Sequence, residues 1–179
     1  MGARTYWVAP VPPLDSADGS AYASSVTLTD VSPSPPVTLP AYLLEVGTTL
    51  RLHARGQFSN TGTPTLLLGF YFGGIAGVAL AASSAITTAS GVTGVPFELE
   101  YRGEVRAIGS SGSINGAGRL YLGTSLTAYT VRPVPEVAAS RTVTIDTTSA
   151  KAVTLGAQWG TSSSSNTLTC NDLIAELLG

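Results

Sequence analysis

The chain has 179 residues, enough for one domain of ordinary size with an appendage. Only 11% of them are charged, against about 25% in ordinary soluble domains, and the net charge is −2. Spread over the roughly 8,000 Å² that a folded chain of this mass exposes, that is about one charge per 400 Å², too few to keep a free monomer dispersed. Such a surface is expected to be covered by copies of itself or by a partner. Lys151 is the only lysine, so no basic stripe is available for nucleic acid. Cys170, the only cysteine, excludes an internal disulfide framework.

From the start of the chain, Pro10, Pro12, Pro13, Pro33, Pro35 and Pro36 fall among Ser, Ala and Asp. That composition favours extended, polyproline-like backbone over a packed core. The first three prolines also interrupt the place where the apolar core of a secretion signal would lie. Yet the stretch holds Tyr6, Trp7 and Val8, poor choices for a tail that meets only water. Residues 1–37 therefore read as an extended N-terminal arm, with Tyr6, Trp7, Val8, Pro10, Pro12 and Pro13 as candidate partner-binding residues. SVTLTDV (25–31) adds one strand within it.

Residues 38–179 alternate between short strand patterns and turn signals. Leu50, Leu52, Ala54, Gly56 and Phe58 interleave with Arg51, His53, Arg55 and Gln57, the period of two that marks a half-buried strand. Leu66, Leu68, Phe70 and Phe72 repeat it after the turn signal at 60–64. The run 66–85, LLLGFYFGGIAGVALAASSA, imitates a membrane span by hydropathy. No Lys or Arg flanks it closely, and Gly73-Gly74 splits it where a hairpin would turn, so no membrane association is expected. Phe97, Leu99, Tyr101, Gly103, Val105 and Ala107 alternate with Glu98, Glu100, Arg102, Glu104 and Arg106. Further strands are expected at 114–123, 127–132, 142–146, 151–159 and 167–177, although the closing NDLIAELLG also suits a helical turn. The pattern predicts an all-β fold, a jelly-roll-like antiparallel β-sandwich, with Leu50, Leu52, Leu66, Leu68, Phe70, Leu99 and Leu120 in its core.

Groups that move protons or hold metals are scarce. His53 is the only histidine and stands between Arg51 and Arg55, as a surface histidine would. Glu98, Glu100 and Glu104 share a strand face with Arg102 and Arg106, and alternating signs mark a solvated or intersubunit face with Glu–Arg pairs. No phosphate-cradling glycine motif is present. These readings predict no catalytic residues, no metal and no cofactor. Tyr71, Tyr121, Tyr129 and Trp159 are candidates for outward aromatics that stack on sugars.

Four stretches, LPAYLLEVGTTLRLHARGQFSNTGTPTLLLGFYFGG (39–74), ITTASGVTGVPFELE (86–100), VRAIGSSGSINGAGRL (105–120) and AKAVTLGAQWGTSSSSNTLTC (150–170), carry a resemblance. Over residues 39–179 the sequence resembles jelly-roll virion proteins of phages of actinobacteria. The resemblance implies a non-enzymatic structural role in a virion, a minor capsid or decoration (cement) protein on the major capsid protein or another virion protein. The thin charge of the surface, which three-fold packing would cover, adds the expectation of a homotrimer. A head or tail fibre component that binds a host-surface receptor or carbohydrate is the alternative. Residues 1–37 fall outside the resemblance.

Overall fold

The computed structural model describes the backbone of residues 8–10 and residues 18–136 and 138–179. Its strands are β1 (Val8–Pro10), β2 (Tyr22–Ala23), β3 (Thr29–Asp30), β4 (Val37–Leu39), β5 (Thr49–Ser59), β6 (Thr65–Phe72) and β7 (Val78–Ala82). There follow β8 (Ile86–Thr87), β9 (Val95–Ala107), β10 (Gly112–Ser125), β11 (Ala128–Val134), β12 (Thr142–Ile145), β13 (Lys151–Trp159) and β14 (Thr167–Leu178). A single 3-10 turn, Ala138–Arg141, precedes β12.

All the pairings are antiparallel and form two sheets. The first runs β1-β14-β5-β9-β10-β11, with β2 also on β14 and β12 also on β10; the second runs β3-β13-β6-β7, with β4 on β13 and β8 on β6. The sheets pack face to face as a jelly-roll-like β-sandwich. Leu50, Leu52, Leu99 and Leu120 of the first sheet and Leu66, Leu68 and Phe70 of the second are all buried between them. Each such leucine contributes about 1.5–3 kcal/mol on leaving water. The alternation within β5, β9 and β10 sends every second side chain inward, so the sequence period and the observed register agree. NDLIAELLG ends the chain as part of β14.

The run 66–85 is the β6–β7 hairpin of the second sheet, with Leu66, Leu68, Phe70, Phe72, Leu80 and Ala81 in the core. Gly73 and Gly74 turn it with φ of 92° and 79°, a region that costs glycine nothing and other residues strain. Among the described residues no helix is long and apolar enough to cross a membrane.

Residues 18–39 belong to the sandwich. Tyr22, Val31, Val37 and Leu39 are buried in the same core, and the Tyr22 hydroxyl donates to the carbonyls of Ser25 (2.7 Å) and Thr27 (3.0 Å). The expected strand at 25–31 is the short β3, which pairs with Gly156 and Ala157 of β13, while β4 pairs with Lys151–Val153. β2 pairs with Thr167 and Leu168 of β14. The backbone of Val8–Pro10 also pairs with β14, Val8 opposite Leu178 and Pro10 opposite Glu176. Residues 18–39 therefore cap the β14 edge of one sheet and the β13 edge of the other. Unpaired edges would otherwise template association with other chains.

Candidate functional site: a charged sheet face

The two sheets differ in charge. The first carries Asp172 and Glu176 on β14, Arg51 and Arg55 on β5, Glu98, Glu100, Arg102, Glu104 and Arg106 on β9, Arg119 on β10 and Arg132 on β11. The strands of the second carry only Asp30 and Lys151, each at a strand end. Alternation within β5, β9, β10 and β14 turns the charges of those strands away from the core, onto one outer face.

Register decides which of them meet. Arg51 lies opposite Glu176 and donates to it at 3.2 Å; Arg55 lies opposite Asp172 and donates to its carboxylate. His53 lies opposite Glu100, yet its Nε2 sits 2.7 Å from Oε1 of Glu98, one row along. The expectation that all three glutamates pair with arginine holds for Glu104, 3.2 Å from Arg106. Glu98 takes the imidazole instead, because the stagger of β5 against β9 brings His53 within reach. Glu100 forms no ion pair among the described residues.

Ligating atoms of His53, Glu98 and Glu100 lie within 4.8 Å of one another, a set that can donate one nitrogen and two carboxylate oxygens to a cation. Arg55 and Arg119 stand directly opposite Glu98 and Glu100 on neighbouring strands and compete for the same carboxylates. Sequence spacing hid this set because it spans two strands.

Along β10 the outward positions are Tyr121, Arg119, Ala117 and Asn115, and a trough follows the last three. Its central part, about 650 Å³, is lined by Arg51, Glu100, Arg102, Ala117 and Arg119. An adjoining part of about 520 Å³ shares Arg102 and Ala117 and adds Glu104, Arg106, Asn115 and Arg141. A separate hollow of about 280 Å³, one outward position further along β10, is lined by Pro96, Phe97, Glu98, Tyr121 and Tyr129. The rings of Tyr121 and Tyr129 meet edge to face with centroids 5.8 Å apart.

Of the four aromatics expected to face outward, Tyr121 and Tyr129 do so. Trp159 is wholly buried against Phe58, because it falls at an inward position of β13. Tyr71 points away from the core but its ring lies flat over Gly156 beside Ile75, nearly covered, and burial pushes its hydroxyl pKa up. Tyr6, Trp7, Pro12 and Pro13 lie outside the described residues, as do the side chains of Val8 and Pro10.

The fold and surface define an antiparallel β-sandwich with one charged face and one almost without charge. Comparison with family models, with curated proteins and with solved structures finds no match for this chain.

Proposed function

We propose that this protein is a structural component of a phage virion, a minor capsid or decoration protein that works by assembly and not by catalysis. The observation that carries the reading is the partition of charge between the two sheets. On the outer side of the second sheet Leu67 of β6 and Gln158 of β13, paired opposite each other, are half-buried and uncharged, whereas Gly69, Tyr71, Thr154 and Gly156 are already buried within the chain. Surfaces of this kind are covered in working assemblies. A homotrimer that packs these faces around a three-fold axis would cover them with identical contacts.

A second apolar surface suits the contact with the major capsid protein or another virion protein. Tyr42, 74% exposed, Val46 and Ile108 stand on loops at one end of the sandwich. Backbone bonds from Tyr42 N to Thr147 O, Thr147 N to Gly109 O and Gly47 N to Val105 O tie those loops together. In this reading the arm residues Tyr6, Trp7, Val8, Pro10, Pro12 and Pro13 contribute to the same attachment, on the capsid surface of particles assembled in the host cytoplasm. No cofactor, nucleic acid or membrane takes part. The trough, where Arg102 and Arg119 form no ion pair among the described residues, favours a second reading, a head or tail fibre component that meets a host-surface receptor.

The test is light scattering at micromolar concentration. A trimer is expected, and Leu67→Lys should convert it to a folded monomer. A wild-type protein that stays monomeric would overturn the trimer.

A further inference from the structure

Arg51 and Arg102 stand directly opposite each other on β5 and β9, an arrangement that raises the energy of a sheet. Arg51 is relieved by Glu176, but Arg102, Arg119 and Arg141 form no ion pair among the described residues. All three line the trough along β10. Between them Ala117, opposite Arg102, leaves open the space that a longer side chain would fill. In a chain so poor in charge, three guanidinium groups without an ion pair among the described residues line one trough, an arrangement that favours an anion.

The channel also selects the kind of anion. From Arg119 to Asn115 it runs four residues along β10, about 14 Å, and its central part also crosses the sheet to Arg51 of β5 and Leu178 of β14, so it suits an extended occupant. It lies on the face of the sheet, and β10 is paired on both sides, with β9 on one and with β12 and then β11 on the other, so a peptide cannot bind there by adding a strand to β10. Glu98, Glu100 and Glu104 alternate with the arginines and would repel the closely spaced phosphates of a nucleic acid. An anion with well-separated charges avoids them, and neutral hydroxyls between its charges can donate to the same carboxylates. One outward position beyond Arg119 the edge-to-face tyrosines, with Tyr129 64% exposed, offer ring surface to the apolar C–H face of a sugar.

We infer that the outer face of the first sheet is a binding site for an extended acidic glycan, whose carboxylate or sulfate groups engage Arg102 and Arg119 while a sugar ring rests on Tyr121 and Tyr129. The planar guanidinium fork matches either anion through two parallel hydrogen bonds. The inference rests on the trough alone and gives the fibre reading a ligand class. It concerns the charged face, so a monomer can pass its test and a trimer can fail it.

Calorimetric titration of the full-length protein with a hyaluronan octasaccharide and a chondroitin sulfate octasaccharide tests it and separates carboxylate from sulfate. Binding is expected to at least one of them, at least tenfold tighter than to a neutral cello-oligosaccharide, poly-glutamate or a single-stranded oligonucleotide. Arg102→Ala combined with Arg119→Ala should weaken it at least tenfold and Tyr121→Ala severalfold, with melting temperatures checked to show that the variants fold. If the arginine pair does not fold, Arg102→Lys with Arg119→Lys keeps the charge, removes the fork and should still weaken binding severalfold. No binding of either acidic octasaccharide, equal binding of poly-glutamate or the oligonucleotide, or unchanged affinity in the folded variants would overturn the assignment.

Discussion

Tyr101 buries its whole ring on the inner side of β9, and its hydroxyl has no hydrogen-bond partner among the described residues. Gly103 and Gly116, paired across β9 and β10, make the room, since a Cβ at either would overlap that hydroxyl. Burial pushes the phenol pKa up strongly. An unsatisfied buried hydroxyl costs about 1–3 kcal/mol in desolvation, so Tyr101→Phe should be neutral or stabilising by about 1 kcal/mol in urea unfolding. Asp146 is the opposite case. Its carboxylate accepts hydrogen bonds from the Thr148 hydroxyl, the Ser149 hydroxyl and the Thr148 N–H, and lies 3.1 Å from Lys151 Nζ. Together these hold its pKa well below the usual carboxylate range. A depressed folded-state pKa gives stability that is present above the unfolded value, about 3.9, and lost as pH falls through the folded one. Asp146→Asn should therefore lower the melting temperature at pH 7, and the gap from wild type should narrow below about pH 4.

At the scale of elements, residues 18–39 are part of the sandwich and its core. Tyr22 anchors β2 through its buried ring and two hydrogen bonds, and Tyr22→Ala should cost about 3–5 kcal/mol in chemical denaturation. A cost below 1 kcal/mol would mean that this stretch does not pack on the core. The long strands were legible because β5, β9 and β10 alternate over many residues with one wet face. β7 was not, since the run from Gly77 to Ala85 is apolar or small throughout and shows no period. Of the short edge strands only β3 is expected from the sequence, as part of 25–31; β2 and β4 are two and three residues long, too short for any period, and the prolines at 33, 35 and 36 suggest a tail. Inward and outward positions on β9 could be read from the sequence, whereas the partners of its glutamates depend on a register that only long-range pairing sets.

On the scale of the whole molecule, one side of the sandwich is held by charge pairs and the other is almost free of charge. Exposed pairs such as Arg51–Glu176 contribute about 0–1 kcal/mol each and are screened by salt. An assembly made through the second sheet should therefore keep its mass in light scattering from 0.05 to about 1 M NaCl, where surface ion pairs are largely screened. Dissociation on adding salt would place the contact on the charged sheet instead. The capping of both sheet edges by residues 18–39 has a consequence in time. A ribosome makes this stretch well before its partners: Val31 N–H bonds to the Leu155 carbonyl, and Tyr22 lies opposite Leu168. Until β13 and β14 emerge, residues 18–39 have no edge to join, so the sandwich closes only after those strands are made. The nascent chain carries the apolar 66–85 hairpin uncovered through that interval, which is the period in which it most needs a chaperone.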